Sequence, residues 1–409
     1  MTSLRATATT AAALAAALLL AAPAPAQDAP DPADWDAVLE EARGQTVFWH
    51  AWGGDPLANA FFEWAGETVE ERFGVAVEHV KLSDTAEAVS RVLAERAAGR
   101  DEGGSVDLLW INGENFASLK ENGLLFGPFA EDLPNWAFVD AGNPLVTQDF
   151  TVPTEGYESP LALARLVFFH DAARLAEPPR GMEALAEWAA ENPGRFAFPQ
   201  PPDFLGSSFL KQALLELAPD PAALAEPATD ESYAAQTAPL WAWLDGLAPN
   251  LWREGRAYPS SGPALRQLMA DGEIDLAFAF NPNEVATAIA NFELPETVRS
   301  YVLDGGTLGN ASFLAIPRNA SAKAGAMVLA DFLLSPEAQA RMADPEIWGL
   351  PTALDVAALP EAERARFEAI EPGPGALAPE ALGEPLPEPH PSWMERLEED
   401  WARRYGAGR

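Results

Sequence analysis

Val47–Asp55 reads VFWHAWGGD, a run of apolar residues interrupted by one histidine and followed by two glycines and an acid. Val47–Ala51 has the near-continuous apolar character of a strand covered on both faces, as in a parallel sheet flanked by helices. Trp49 is expected in that core, since large aromatics dominate cores. Trp52-Gly53-Gly54-Asp55 is the exit of the strand, where two glycines let another group approach the backbone. Asp55-Pro56 then opens a helix: the carboxylate caps free N–H groups, and proline in the first turn removes no needed donor. Leu57, Phe61, Phe62, Trp64 and Val69 recur at helical spacing and lay an apolar stripe on the sheet.

The same grammar continues downstream. VAVEHVKL (75–82) reads as a strand, 85–98 as a helix, VDLLWI (106–111) as a strand, and 115–122 as a helix stopped by Gly123. Alternating strands and helices imply an α/β fold with a parallel sheet, whose ligands bind at the carboxyl ends of the strands. From Phe150 the rhythm changes. FTVPTEGYESPLALARLVFFHD reads as two extended runs broken at Pro153 and Pro160, a crossing into a second lobe. That lobe carries a helix over 182–191, a strand RFAFP (195–199), a loop QPPDFLGSS, a helix over 209–217 and a strand LAFAF (276–280). GTLGNASFLAIP (306–317) returns to the first lobe. The expected division is a signal peptide over 1–26, a first lobe from 27–155 and 305–360, and a second lobe over 156–304. A Pro- and Glu-rich segment with a C-terminal helix fills 361–409.

The beginning of the chain has one positive charge at Arg5, an apolar run from Ala11 to Ala22 and Ala24-Pro25-Ala26, the pattern of a cleaved export signal. The run is too short to span a bilayer as a helix. The expected location is therefore the periplasm. With no cysteine in the chain, stability must come from packing rather than from disulfides.

Against 62 Asp and Glu stand 26 Lys and Arg, a net charge of −36 that loss of Arg5 with the leader makes −37. Such a surface repels nucleic acid and anionic lipid and attracts cations. Enzyme signatures are thin. The four histidines form no H-E-x-x-H pattern, no G-x-S-x-G elbow exists for a nucleophilic serine, and no calcium loop is present. No catalytic residue, metal site or cofactor is expected.

What remains is a set of strand-to-helix junctions of one flavour: Trp52-Gly53-Gly54-Asp55, Asn112-Gly113-Glu114-Asn115, Asp203-Phe204-Leu205-Gly206-Ser207-Ser208 and Asn281-Pro282-Asn283-Glu284. Glycines open the backbone, amides both donate and accept, and helix N-termini offer free N–H groups. Aromatic faces at Trp49 or Trp52, Trp110, Tyr157 and Phe204, with acids at Asp55, Glu114, Glu155, Glu158 and Glu284, suit a cation. Stacking aromatics suit a carbohydrate as well, so a sugar stays open as the competing ligand. An anion would want arginines, and these junctions contain none.

DLLWINGENFASLKENGLL (107–125), LARLVFFHDAARL (163–175) and, most specifically, FLLSPEAQARMADPEIWG (332–349) resemble the family 1 extracellular solute-binding proteins of bacterial ABC importers. WINGENF, PTEGYESP (153–160) and NPGRFAFPQPPDFLGSSFL (192–210) are similar to its YnjB-type branch, which is associated by inference with thiamine or related solutes. The resemblance implies a class II periplasmic-binding fold: two α/β lobes joined by a hinge, with the ligand cleft between them. It also implies delivery of a small solute to the transmembrane subunits of an ABC permease, and the expected state is a monomer. The expected solute-facing residues are Trp52, Gly53, Gly54, Asp55, Asn112, Gly113, Glu114, Asn115, Tyr157, Glu158, Phe204, Gly206, Ser207, Ser208, Asn281 and Asn283, with Asn310 in the returning strand.

Overall fold

The computed structural model describes residues 29–406, so the expected signal peptide lies outside the described residues. The stretch that opens as VFWHAW forms β1 (Thr46–Trp52) at the heart of the first sheet. It pairs in parallel with β2 (Ala76–Leu82) on one side and β3 (Leu108–Ile111) on the other. Trp49 is fully buried, its ring 4.3 Å from that of Phe62. His50 is buried as well, with Nδ1 3.2 Å from the Phe48 carbonyl, and desolvation lowers its pKa.

A short hairpin, β4 (Gln148–Asp149) and β5 (Val152–Pro153), precedes β6 (Glu158–Arg165). Then come β7 (Val167–Asp171), β8 (Leu276–Ala279), β9 (Val298–Tyr301) and β10 (Gly309–Ala315). The first sheet has the order β2-β1-β3-β10-β6, in which β10 runs antiparallel to both neighbours. It is thus mixed rather than wholly parallel. The second sheet is β8-β7-β9, all antiparallel. β6 stays in the first sheet, so the chain crosses between sheets at Leu166, ten residues beyond the crossing expected at 156. Pro160 does not break β6; it sits where the ladder to β10 shifts register, the kind of irregularity that tolerates a residue without an N–H.

Helices cover the sheets for the reasons the sequence suggests. In Pro56–Phe73 the Asp55 carboxylate accepts from Leu57 N–H at 2.8 Å, and left-handed Gly74 ends the helix. Phe61, Phe62, Ala65 and Val69 form its buried stripe. Nearly all of Lys323–Leu333 is buried between that helix and the sheet, which accounts for its apolar character.

The largest departure is the second-lobe segment 203–208. It reads as a loop from QPPDFLGSS, but Asp203 caps a helix spanning Phe204–Leu217 and accepts from Leu205 and Gly206 N–H at 3.0 and 3.3 Å. A Cβ on Gly206 would lie 2.3 Å from the Pro199 carbonyl, so its glycine serves close packing. RFAFP contributes only a single bridge, Phe196 to Leu276.

The end of the chain is no appendage. Helix Ser392–Tyr405 buries Trp393, Leu397 and Trp401 in the second core. Before it, the tail runs beside both crossing segments: Leu386 N–H donates to Thr307 at 2.8 Å and Gly309 N–H to Leu386 at 3.1 Å. Arg165 Nη2 donates to the Leu382 and Glu384 carbonyls at 2.7 and 2.8 Å.

Candidate functional site

The carboxyl ends of β1 and β3 point toward the second lobe, and two of the expected junctions stand there. Gly53 N–H donates to Leu82 at 2.9 Å, and a Cβ on Gly54 would collide with the Trp52 ring, so that indole lies flat against the glycine turn. Asp55 is committed to its helix cap, while its charge is felt by Arg266 and Glu284 of the second lobe. At the end of β3, Gly113 has φ +62° and sends its N–H to Asp149 Oδ2 at 2.7 Å. Asn112 is half-buried beside it. Asn115 Nδ2 donates to Glu114 Oε1 at 2.7 Å. Burial pushes Glu114 up to about 7, with Glu398 and Asp84 adding to the shift.

From the second lobe, the first turn of Phe204–Leu217 faces these acids. Burial pushes Asp203 up to about 6, and Asp84 across the junction adds to it. Ser207 Oγ donates to Glu398 of the C-terminal helix at 2.6 Å. Ser208 Oγ donates back to Phe204 at 2.7 Å and so serves its own helix.

One turn further, Lys211 leaves the buried face of the same helix. Its Nζ lies 2.7 Å from Glu388 Oε2, with both side chains essentially inaccessible. It also sits 4.3 Å from the Phe150 ring centroid and 5.6 Å from that of Phe204. The other Glu388 oxygen accepts from Asn310 Nδ2 at 2.7 Å. Phe150 has φ +54°, and a Cβ on Gly113 would meet its ring at 2.7 Å. One ammonium thus joins the second lobe, the hinge strand β10, the tail and the first-lobe hairpin. Asp149 is fully buried within reach of the same group, and burial together with Glu114 raises its pKa well above the ordinary range.

At the other edge the lobes touch directly. Asn281 Nδ2 donates to Trp348 at 3.2 Å and Asn283 Nδ2 to Gly349 at 2.8 Å, both across the junction. Glu284 is ion-paired with Arg266, whose Nη2 is also 2.8 Å from Glu293.

The structure therefore brings Trp52–Asp55, Asn112–Asn115, Phe204–Ser207, Asn281–Asn283 and Asn310 to one junction between the lobes. Three expected residues fall outside it, Ser208 because its hydroxyl serves its own helix. Tyr157 lines a separate hollow on the first lobe with Lys120, Phe126, Glu155 and Arg318. Glu158 is sealed inside the first lobe, both carboxylate oxygens without a hydrogen-bond partner among the described residues, and burial raises its pKa strongly. Glu155 pairs with Lys120 at 3.0 Å and is no cleft acid. Trp110 packs between Phe62 and Trp348, at 5.7 and 5.6 Å.

Sequence reasoning passed over Asp84, Asp149, Lys211, Arg266, Glu388 and Glu398. Only Lys211 carried a usable signal, the one lysine of FLKQALLEL, set among apolar neighbours in a helix of the second core. Glu388 and Glu398 come from a tail whose composition suggests a solvated extension. Lys211 and Arg266 are each matched by acids, so these two cations offer an anion little.

Residues 64–368 match the model of the bacterial extracellular solute-binding protein family. Protein YnjB of Escherichia coli (strain K12) is 45% identical over 374 residues, which is 91% of this chain and 94% of that protein. Among solved structures, the periplasmic binding protein AfuA from Actinobacillus pleuropneumoniae, with exogenous fructose-6-phosphate bound, aligns with a TM-score of 0.62. It is 16% identical, covering 89% of this chain and 99% of its own. The Tp0655 (TpPotD) lipoprotein of Treponema pallidum aligns at 0.65 and 14% identity, covering 88% and 98%. Identities this low speak for the fold alone, and the fold is the two-lobed α/β architecture of periplasmic binding proteins. The family match and the extended likeness to YnjB lead to one conclusion: the chain belongs to the bacterial extracellular solute-binding proteins.

Proposed function

We propose that this protein is the periplasmic solute receptor of an ABC importer, holding a small polar solute with positive charge and passing it to the permease's transmembrane subunits. An amine or a thiamine-like ring cation fits. The observation that carries this reading is the charge balance at the lobe junction. Asp84, Glu114, Asp149, Asp203, Glu388 and Glu398 interact electrostatically around one buried ammonium, that of Lys211. Carboxylates pushed up to about 6 or 7 by burial are short of counter-charge, and a bound cation supplies it. Trp52 and Phe204 add aromatic faces, each worth roughly 0.5 to 2 kcal/mol to a cation. A sugar finds less here, because Trp110 packs edge-on against Phe62 and Trp348 and Tyr157 faces another hollow.

Binding without turnover is the task this arrangement suits. The test is a thermal-shift screen of the exported chain against thiamine, choline, putrescine, spermidine, glucose and maltose. A cation at about 100 times its dissociation constant adds roughly 2.7 kcal/mol, a clear rise in melting temperature. A response to the sugars alone would overturn the cation reading, and silence across a broad solute library would remove the receptor reading itself.

A further inference from the structure

The C-terminal segment enters the site that the two lobes were expected to form alone. After running beside the hinge strands it places Glu388 against Lys211 and Asn310. Helix Ser392–Tyr405 then anchors Trp393 and Trp401 in the second core while also touching helix Glu114–Glu121 of the first lobe. Glu398 is the residue of that helix aimed at the junction. Ser207 Oγ donates to it at 2.6 Å from the second lobe. Asp84 from the first lobe, Lys211 from the second, Glu395 on its own helix and Glu114 beneath it are the charged groups that face it.

Acids in a cluster do not make a site, but two further observations point to a bound cation. The junction already holds an ammonium, the chain's own, in an arrangement of carboxylate and aromatic faces: Lys211 Nζ between Glu388 and the Phe150 ring. Beside it, Asp149 is fully buried, and its Oδ1 has no hydrogen-bond partner among the described residues. One ammonium is supplied by the protein, and a buried carboxyl oxygen beside it is left unpaired.

We infer that the C-terminal helix is a third wall of the solute site, and that Glu398, held by Ser207, is the carboxylate that meets the solute's positive nitrogen. This rests on the cation-binding reading above. Glu388 has the other role: it secures Lys211 and so fixes the wall. A mere tether between Ser207 and the helix would stabilise the fold without influencing how affinity depends on pH. A ligand-contacting carboxylate does both. Glu398 is pushed up to about 7 by burial, so below that pH it must give up a proton to meet a cation, and binding weakens.

The experiment is calorimetric titration of the full exported chain with spermidine, putrescine, choline and thiamine at about pH 6 and about pH 8, where one such group changes affinity about tenfold. For the probe that binds, Glu398→Gln is expected to weaken binding at least tenfold at the higher pH, change it little at the lower, and make the profile shallower, Glu114 and Asp203 keeping the remaining slope. Glu399→Gln, the same charge change at an exposed position on the same helix that does not face Glu398, is expected to keep the wild-type profile. Ser207→Ala removes a donor that favours the ionised form and is expected to move the profile to higher pH, which keeps the test alive should Glu398→Gln fold poorly. Wild-type affinity and slope in both Glu398→Gln and Ser207→Ala would overturn the third-wall inference while leaving the cation reading intact. Equal losses in Glu398→Gln and Glu399→Gln would assign the effect to diffuse charge and overturn it too. If the wild type binds none of the four probes, both fall together.

Discussion

Replacing Lys211 by methionine tests whether the lobes are joined through one buried ammonium. The Nζ atom lies 2.7 Å from Glu388 and 4.3 Å from the Phe150 ring, and both side chains of the ion pair are out of contact with solvent. Methionine keeps most of the volume and removes the charge, so Glu388 is left buried with only Asn310 as a donor. Removing one member of a buried pair costs roughly 3 to 5 kcal/mol, because the other charge stays desolvated. Losing the ring contact adds about 0.5 to 2 kcal/mol. Summed unfolding entropy near 2.1 cal/mol/K per residue over roughly 380 residues turns about 4 kcal/mol into a drop of about 5 °C in Tm. Differential scanning calorimetry and denaturant titration measure it. Lys211→Met/Glu388→Gln, in which the stranded charge is gone, is expected to recover more than half of the loss, giving a coupling energy well outside additivity. A single variant as stable as wild type, or a double variant no better than the single, would refute the interaction.

Three more outcomes follow from particular residues. Glu114 is pushed up to about 7 by burial, above its unfolded value, so its protonated form is the one the fold favours. Its contribution is full below the unfolded pKa and is lost as pH rises through about 7. Glu114→Gln without ligand should therefore match wild type near pH 4 and exceed it by up to about 3 kcal/mol near pH 8, in melting curves across that range; a pH-independent difference would contradict the burial. Gly113→Ala introduces a side chain at φ +62° with its Cβ 2.7 Å from the Phe150 ring; a loss of at least about 1 to 2 kcal/mol in denaturant titration is expected, and tolerance would mean the hairpin moves freely. Phe292 is 95% exposed at φ +60°, so it holds a strained backbone without packing in return; Phe292→Gly should leave stability unchanged or raise it by up to about 1 kcal/mol, whereas a clear loss would mean the ring is packed.

The first lobe was legible because its signals are local. A buried strand, a capped helix and a glycine stop each announce themselves within ten residues, and Val47–Gly74 does so twice. The second lobe was harder where local signals conflict. Gly206, Ser207 and Ser208 suggest a loop by propensity, but an Asp203 cap and close packing on Pro199 make them helix. Glu158 reads as a cleft acid, one of several carboxylates beside aromatic faces; the ladder to β10 instead seals it inside the first lobe. The tail was the deepest omission. Its prolines and acids look solvated, and only tertiary contact with Thr307, Lys211 and Ser207 shows that it belongs to the hinge and the site. Long-range pairing of this kind leaves no periodic trace.

The central claim is that the junction recognises positive charge. Its most direct measurement is calorimetric binding of matched pairs, each cationic solute beside an uncharged isostere, choline with dimethylbutanol being the simplest. At least one cation is expected to bind at low salt, weaken as salt screens the exposed acids, and outbind its neutral partner by tenfold or more, about 1.4 kcal/mol. Equal binding of a cation and its isostere, or binding confined to neutral or anionic solutes, would contradict it.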